Sequence, residues 1–308
     1  MIWTTLRLTI AAFAVGLFAA APCSADLFAV LAPDNKILRI DSASGTVTQT
    51  YAIPDFIPVS GSTTSGLAFD GEVLYMSRRL GIVDYLFRYD VTFDFWYPGP
   101  TFLPTIPNPS GEPQPISGLG ITPDGFGGGN LVAATRNPAG APASYIFQFQ
   151  VLPGFFDIVL PDGNNPVGSL PPTMDAHGAD IDIATGELWI TATEFAGSAP
   201  TLRLLHTDLA GNVLQTLSPG LSPSSNLIRG LGFDNGSMFI AGRNVSTSTN
   251  FVYEIDRTSG AVLRSFALPG TTTLAALTGG TVFVPVPEPA SIVTIAIGLA
   301  GLWGRRRR

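Results

Sequence analysis

His177 stands within five residues of Asp175, Asp180 and Asp182, and this is the richest local set of groups able to move protons or hold a metal ion. A histidine among carboxylates is the raw material of an acid/base pair or a metal centre. The spacing fits a plainer job equally well: His-x-His and His-x-x-x-His pairs are absent, and aspartates at strand ends cap turns. His206 is the only other histidine. Asp34-Asn35 and Asp162-Gly163-Asn164-Asn165 look like pieces of calcium loops, but neither is closed by a bidentate acid. Phosphate loops, Gly-x-Ser-x-Gly elbows and Cys/His nucleophile pairs do not occur. No residue is assigned a catalytic or metal-ligating role on these grounds, and no cofactor is implied.

The elements that position these groups are short apolar runs separated by Gly, Pro, Asn and Asp, without long 3.6-residue periodicity, which predicts an all-β fold. A repeat runs through residues 26–285. Its first half is Gly-Leu/Ala-x-Phe/Ile, a turn, then an alternating strand. It begins at Gly66, Gly118, Gly178 and Gly230, at intervals of 52, 60 and 52 residues. Its second half is a strand ending in aspartate, a glycine turn and a return strand, as in Ile37 to Asp41 with Gly45, Leu86 to Asp90, Leu204 to Asp208 with Gly211, and Val252 to Asp256 with Gly260. Tyr145 to Gln150 is a degenerate copy. In this reading the aspartates accept hydrogen bonds from turn amides and the glycines take positive φ. Asp70-Gly71, Asn235-Gly236 and Gly279-Gly280 are expected to form tight hairpins, and Gly118-Leu119-Gly120 is read as hairpin glycines too.

Four strands per roughly 50 residues is the blade of a β-propeller. The chain opens with what matches the second strand of a unit and ends, at Thr272 to Leu277, with what matches a first strand. The last strand is therefore expected to complete the first blade and remove the open edges. This gives five blades, or six if Thr281 to Val284 starts another; a β-sandwich is the alternative. In that frame Ser65, Ser117, His177 and Arg229 each precede a repeat glycine and should gather at one end of the channel, with His177 and Arg229 as ligand-binding candidates. Phe93, Phe95 and Tyr97 alternate with Trp96. The three are expected to pack between blades, leaving Trp96 as the candidate for stacking on a sugar. Pro98 to Pro115 reads as a long loop, where binding residues are often carried.

The chain has 16 basic and 23 acidic residues. Setting aside Arg7 and Arg305 to Arg308 leaves 11 basic residues, a net charge of about −12 for the body. Lys36 is the only lysine. Nucleic acid is excluded as a partner on this balance, and polyanions are disfavoured. At the N-terminus, Arg7, the apolar run Leu8 to Ala21 and the small residues before Asp26 form a signal peptide over residues 1–25. Cleavage there removes Cys23, the single cysteine, and with it disulfide, thiol and Cys-zinc chemistry. Pro22 before Cys23 argues against lipidation.

Residues 286–308 form a second device. Val286-Pro287-Glu288-Pro289 is followed by an uncharged run from Ala290 to Gly304 and by Arg305, Arg306, Arg307 and Arg308. As a helix of ~1.5 Å per residue the run spans about 22 Å, short of the ~30 Å hydrocarbon core, so insertion leans on the arginine stop. The prolines keep this transmembrane helix from starting before Ala290. The segment resembles the PEP-CTERM sorting signal. The resemblance implies recognition by an exosortase-type transpeptidase, a precursor held in the inner membrane, and a final place on the cell surface or in the extracellular matrix, associated with exopolysaccharide. The expectation for the whole chain is a non-catalytic binding or structural propeller. The alternative is a secreted propeller enzyme, of lactonase, lyase or glycosidase type, with its site in the central channel.

Overall fold

Every strand in the computed structural model runs antiparallel to its neighbours, and the chain repeats one motif: an inner strand, two middle strands and an outer strand. The structure describes residues 25–32, 35–54, 62–103, 114–123, 129–136, 143–151, 158–159, 166–270 and 272–281. The predicted signal peptide up to residue 24, the sorting motif Val286 to Pro289, the transmembrane run and Arg305 to Arg308 lie outside these. Among the described residues there is no helix.

The first sheet holds β1 (Ala25–Ala32), β2 (Lys36–Asp41) and β3 (Val47–Ala52). The second holds β4 (Ser62–Phe69), β5 (Val73–Leu80) and β6 (Val83–Asp90), with the outer position split between β7 (Phe95–Trp96) and β8 (Thr101–Phe102). The third has β9 (Ile116–Pro123), β10 (Gly129–Thr135) and β11 (Tyr145–Val151), its outer position split between β12 (Ile158–Val159) and β13 (Gly168–Ser169). The fourth has β14 (Met174–Asp182), β15 (Glu187–Glu194), β16 (Thr201–Thr207) and β17 (Val213–Leu217). The fifth has β18 (Asn226–Asp234), β19 (Ser237–Asn244), β20 (Thr249–Ile255) and β21 (Val262–Leu268). The last strand, β22 (Thr273–Thr281), returns to pair with β1 and becomes the inner strand of the first sheet, from Ala25↔Thr281 to Ala32↔Thr273. The result is a five-bladed β-propeller closed by its two ends.

The ring order β4, β9, β14, β18, β22 and back to β4 is set by contacts between inner strands. The spacing of those strands explains the repeat glycines. A Cβ on Gly118 would stand 2.0 Å from the Ala179 amide nitrogen, one on Gly230 would stand 2.3 Å from that of Leu277, and one on Gly178 would meet Gly230 at 2.9 Å. Five inner strands crowd the axis so closely that a side chain at these points has no room. Gly279-Gly280 belongs to the same set. The predicted hairpin there does not form: both residues sit inside β22, opposite Leu27 and Asp26, and a Cβ on Gly279 would meet Phe233 O at 2.6 Å. Gly118 and Gly120 likewise lie within β9 and not in a turn. Asp70-Gly71 and Asn235-Gly236 do turn, with Gly71, Asn235 and Gly236 at φ +106°, +47° and +79°.

Each sheet buries both faces, so the apolar core is divided into five interblade layers. Phe28 and Val30 of β1 face the second blade with Leu67, Phe69 and Met76, while Leu27, Ala29 and Leu31 face the fifth with Phe239 and Val252. The period-2 alternation of one strand thus feeds two different cores. The strand-end aspartates act as expected: Asp256 Oδ1 accepts from the Thr258 and Ser259 amides at 2.9 and 2.7 Å, and Asp90 Oδ1 from Thr92 and Phe93, both at 2.9 Å.

Candidate functional site: the channel mouth

Each inner strand carries one irregularity in its pairing, and it falls at the same place in every blade. The extra residue is Ser65 in β4, Ser117 in β9, His177 in β14, Arg229 in β18 and Ala275 in β22. A β-bulge bends its strand and re-aims the inserted side chain. All five of these residues line one cavity of about 690 Å³ at an end of the channel. The four positions anticipated from the repeat therefore do come together, and Ala275 supplies the fifth.

Sequence reasoning missed the cations that join them. Arg78 and Arg79, at the end of β5, and Arg136, just past β10, line the same cavity as Arg229. The available signal was an arginine at the end of the second strand in more than one repeat. Arg78 is 3% exposed; its Nη2 donates to Asn35 Oδ1 at 2.9 Å, while its Nε and Nη1 find no partner among the described residues. Burial holds its pKa below the ordinary value. Arg136 reaches Asp175 Oδ2 at 3.2 Å. Arg229 forms no hydrogen bond or ion pair among the described residues. Burial and the nearby Arg136 lower its pKa, with Asp175 opposing.

His177 Nε2 lies 2.7 Å from Thr193 Oγ1, and its Nδ1 is buried without a hydrogen-bond partner among the described residues. Burial pushes its pKa down to about 4, with Asp175 working the other way and Arg136 and Arg229 assisting. The ring is neutral at pH 7, so its 3.9 Å approach to Asp175 is not an ion pair. Of the three carboxylates near His177 in sequence, only Asp175 approaches it. Asp180 accepts from Thr278 at 3.1 Å, and Asp182 is held by its own turn and by Arg257 at 2.7 Å. Among the described residues no group of three or more His, Cys, Asp or Glu side chains is arranged to hold a metal ion.

Opening beside the mouth is a smaller cleft of about 270 Å³, which shares Arg136, His177 and Arg229 with it and adds Asp175, Thr193, Phe195, Asn226 and Leu227. Phe195 is 56% exposed, a large apolar ring in a polar setting.

Trp96 lies elsewhere, on the outer edge of the second blade. Its ring packs 4.8 Å from Tyr89 and its indole N–H donates to Ala52 O at 3.2 Å. Phe93 and Phe95 are the exposed aromatics there, reversing the expected division between packing and presented rings. Asp90 caps the turn and Asp94 takes φ +50°, so the extended outer strand begins only at Phe95, with Trp96 opposite Tyr89. His206 stacks on Trp189 at 5.0 Å, away from the mouth. The calcium-loop segment Asp162 to Asn165, Asp34, and residues 104–113 of the Pro98 to Pro115 loop lie outside the described residues.

Residues 285–308 match the family model of the PEP-CTERM protein-sorting motif. The chain is thus a β-propeller that carries a PEP-CTERM sorting signal, which implies recognition by an exosortase and an exported precursor held at the membrane. No curated protein matches the chain. Among solved structures, similar folds include one in the nidogen/laminin complex, with 14% identity and a TM-score of 0.48, covering 84% of this chain and 100% of that one. Hydrazine synthase of Kuenenia stuttgartiensis is similar at 12% identity and TM-score 0.40, over 76% of this chain and 74% of that one. The Cps50 (Swd1) β-propeller domain of Myceliophteria thermophila is similar at 10% identity and TM-score 0.39, over 82% and 86%.

Proposed function

We propose that this protein is a non-catalytic binding component of the cell surface or extracellular matrix, associated with exopolysaccharide and retaining its ligand at the channel mouth. The observation that carries this reading is the composition of the mouth. Five bulged positions and three further arginines surround a cavity large enough for a small ligand, and its polar groups, hydroxyls, an imidazole and cations, are set among apolar residues such as Ile116 and Leu274. A hydrolase of the propeller type would call for converging carboxylates or a histidine poised near neutral pH. His177, pushed down to about 4 and engaged with Thr193, is a weak base at pH 7, which supports binding over turnover.

The test is co-sedimentation of the protein, recovered from the cell surface, with exopolysaccharide from the same cells, alongside an assay for newly formed reducing ends and opened lactones. Sedimentation with the polymer and unchanged polymer chemistry are expected. Protein left entirely in the supernatant would overturn the binding role, and bond cleavage would overturn the non-catalytic one in favour of the secreted enzyme.

A further inference from the structure

The cleft beside the mouth is narrower in its chemistry than the cavity it opens from. On its polar side stand Arg136, Arg229, Asp175 and His177. With His177 neutral, two guanidinium groups face one carboxylate, leaving about one positive charge without a counter-ion. Asp175 is already engaged with Arg136, so the excess falls on Arg229, which has no partner among the described residues. A desolvated guanidinium is a fork of donors suited to a planar carboxylate. A dianion would exceed the charge available and meet Asp175. The lining also includes apolar groups, among them Phe195 and Leu227, exposed by 56% and 39%. Thr193, Ser224 and Asn226 add hydroxyl and amide groups to the same lining, able to exchange hydrogen bonds with ligand hydroxyls. An anionic group, hydroxyls and an apolar ring face are the three features these walls complement.

We propose that this cleft binds a carboxylate-bearing sugar, with Arg229 holding the carboxylate and Phe195 covering one face of the ring. The assignment rests on the binding role given above and names its ligand class. It also qualifies what net charge alone suggests: the acidic body disfavours a long polyanion, yet the mouth is locally cationic and takes one acidic residue at a time.

The experiment is calorimetric titration of the full protein with galacturonate, galactose and acetate. Galacturonate should bind, with galactose and acetate each at least about tenfold weaker. Arg229→Gln should weaken galacturonate by at least about tenfold, Arg229→Lys less, and Phe195→Ala, an exposed change that leaves folding intact, should weaken galacturonate without altering acetate. Equal binding of galactose, or full galacturonate affinity in both Arg229 variants, would overturn the proposal. Failure to bind galacturonate by a protein that still sediments with polymer would overturn the acidic-sugar assignment alone. Trigalacturonate distinguishes the source: binding equal to the monomer marks a polymer end, and exclusion of the trimer marks a free sugar acid, both within the proposal.

Discussion

Thr278 of β22 donates its hydroxyl hydrogen to Asp180 of β14 at 3.1 Å, joining the inner strands of the first and fourth blades across a distance of 98 residues in sequence. Both side chains are buried. Burial drives the Asp180 pKa well above the ordinary value, and the hydrogen bonds from Ile181 N and Thr278 only partly oppose it.

A raised folded-state pKa fixes the sign of a pH effect. The folded state then holds its proton more tightly than the unfolded chain, whose aspartates titrate near ~3.9, so Asp180 contributes stability that is full below that pH and is lost as pH rises through the folded value. Asp180→Asn should flatten the decline in thermal stability above about pH 4. Melting curves from pH 4 to 8 give the comparison, and parallel slopes for the two proteins would contradict it.

His177 has the opposite sign. Its pKa falls from 6.5 to about 4, so its contribution is present above pH 6.5 and is lost as pH falls toward 4. The imidazole should titrate near 4 by NMR, and His177→Gln should reduce the loss of stability on the acid side. A midpoint close to 6.5 would show that the ring is solvated.

Substitution at the axis should be costly. Gly230→Ala sets a methyl 2.3 Å from the Leu277 amide nitrogen, and a rigid backbone cannot yield as a side chain would. The loss should be at least about 1–3 kcal/mol, the usual range for overpacking, read from the denaturant midpoint.

Arg257 ties the fourth and fifth blades together. It reaches Asp182 and Glu187, both at 2.7 Å, and stands over the rings of Phe233 and Trp189 at 5.2 and 5.9 Å. Arg257→Met keeps the stem but strands the buried Asp182, and should cost about 1–3 kcal/mol. Glu187→Gln, at a position 35% exposed, should cost less.

Sorting can be tested apart from the propeller. Replacing Pro287, Glu288 and Pro289 by alanine should leave the chain uncut and membrane-held, while intact-mass analysis of the unaltered protein from the cell surface should show loss of the C-terminal segment. Loss of the C-terminal segment from the altered chain as well would remove the motif from the processing step.

A count of five or six blades, the closing strand and the gathering of Ser65, Ser117, His177 and Arg229 were legible from the repeat. That these positions are bulges, and that Ala275 is the fifth, was not. Nor was the role of the repeat glycines. Gly-Gly is a turn signal when read locally, and only the packing of inner strands shows that Gly279 serves close approach. Arg78 and Arg136 escaped notice for a related reason: they end second strands, and their meeting with Arg229 depends on how blades are placed around the axis, which no local pattern encodes. The stripe from Phe93 to Tyr97 misled because a positive-φ residue, Asp94, interrupts it.

The pairing of β22 with β1 has a consequence in time. The strand that locks the wheel is the most C-terminal of the described strands, and its partner is the most N-terminal. A chain threaded through a translocation pore from its N-terminus must therefore wait, unlatched and unable to close its first sheet, until residue 281 has emerged. Completion of the fold becomes a report that the body has finished crossing.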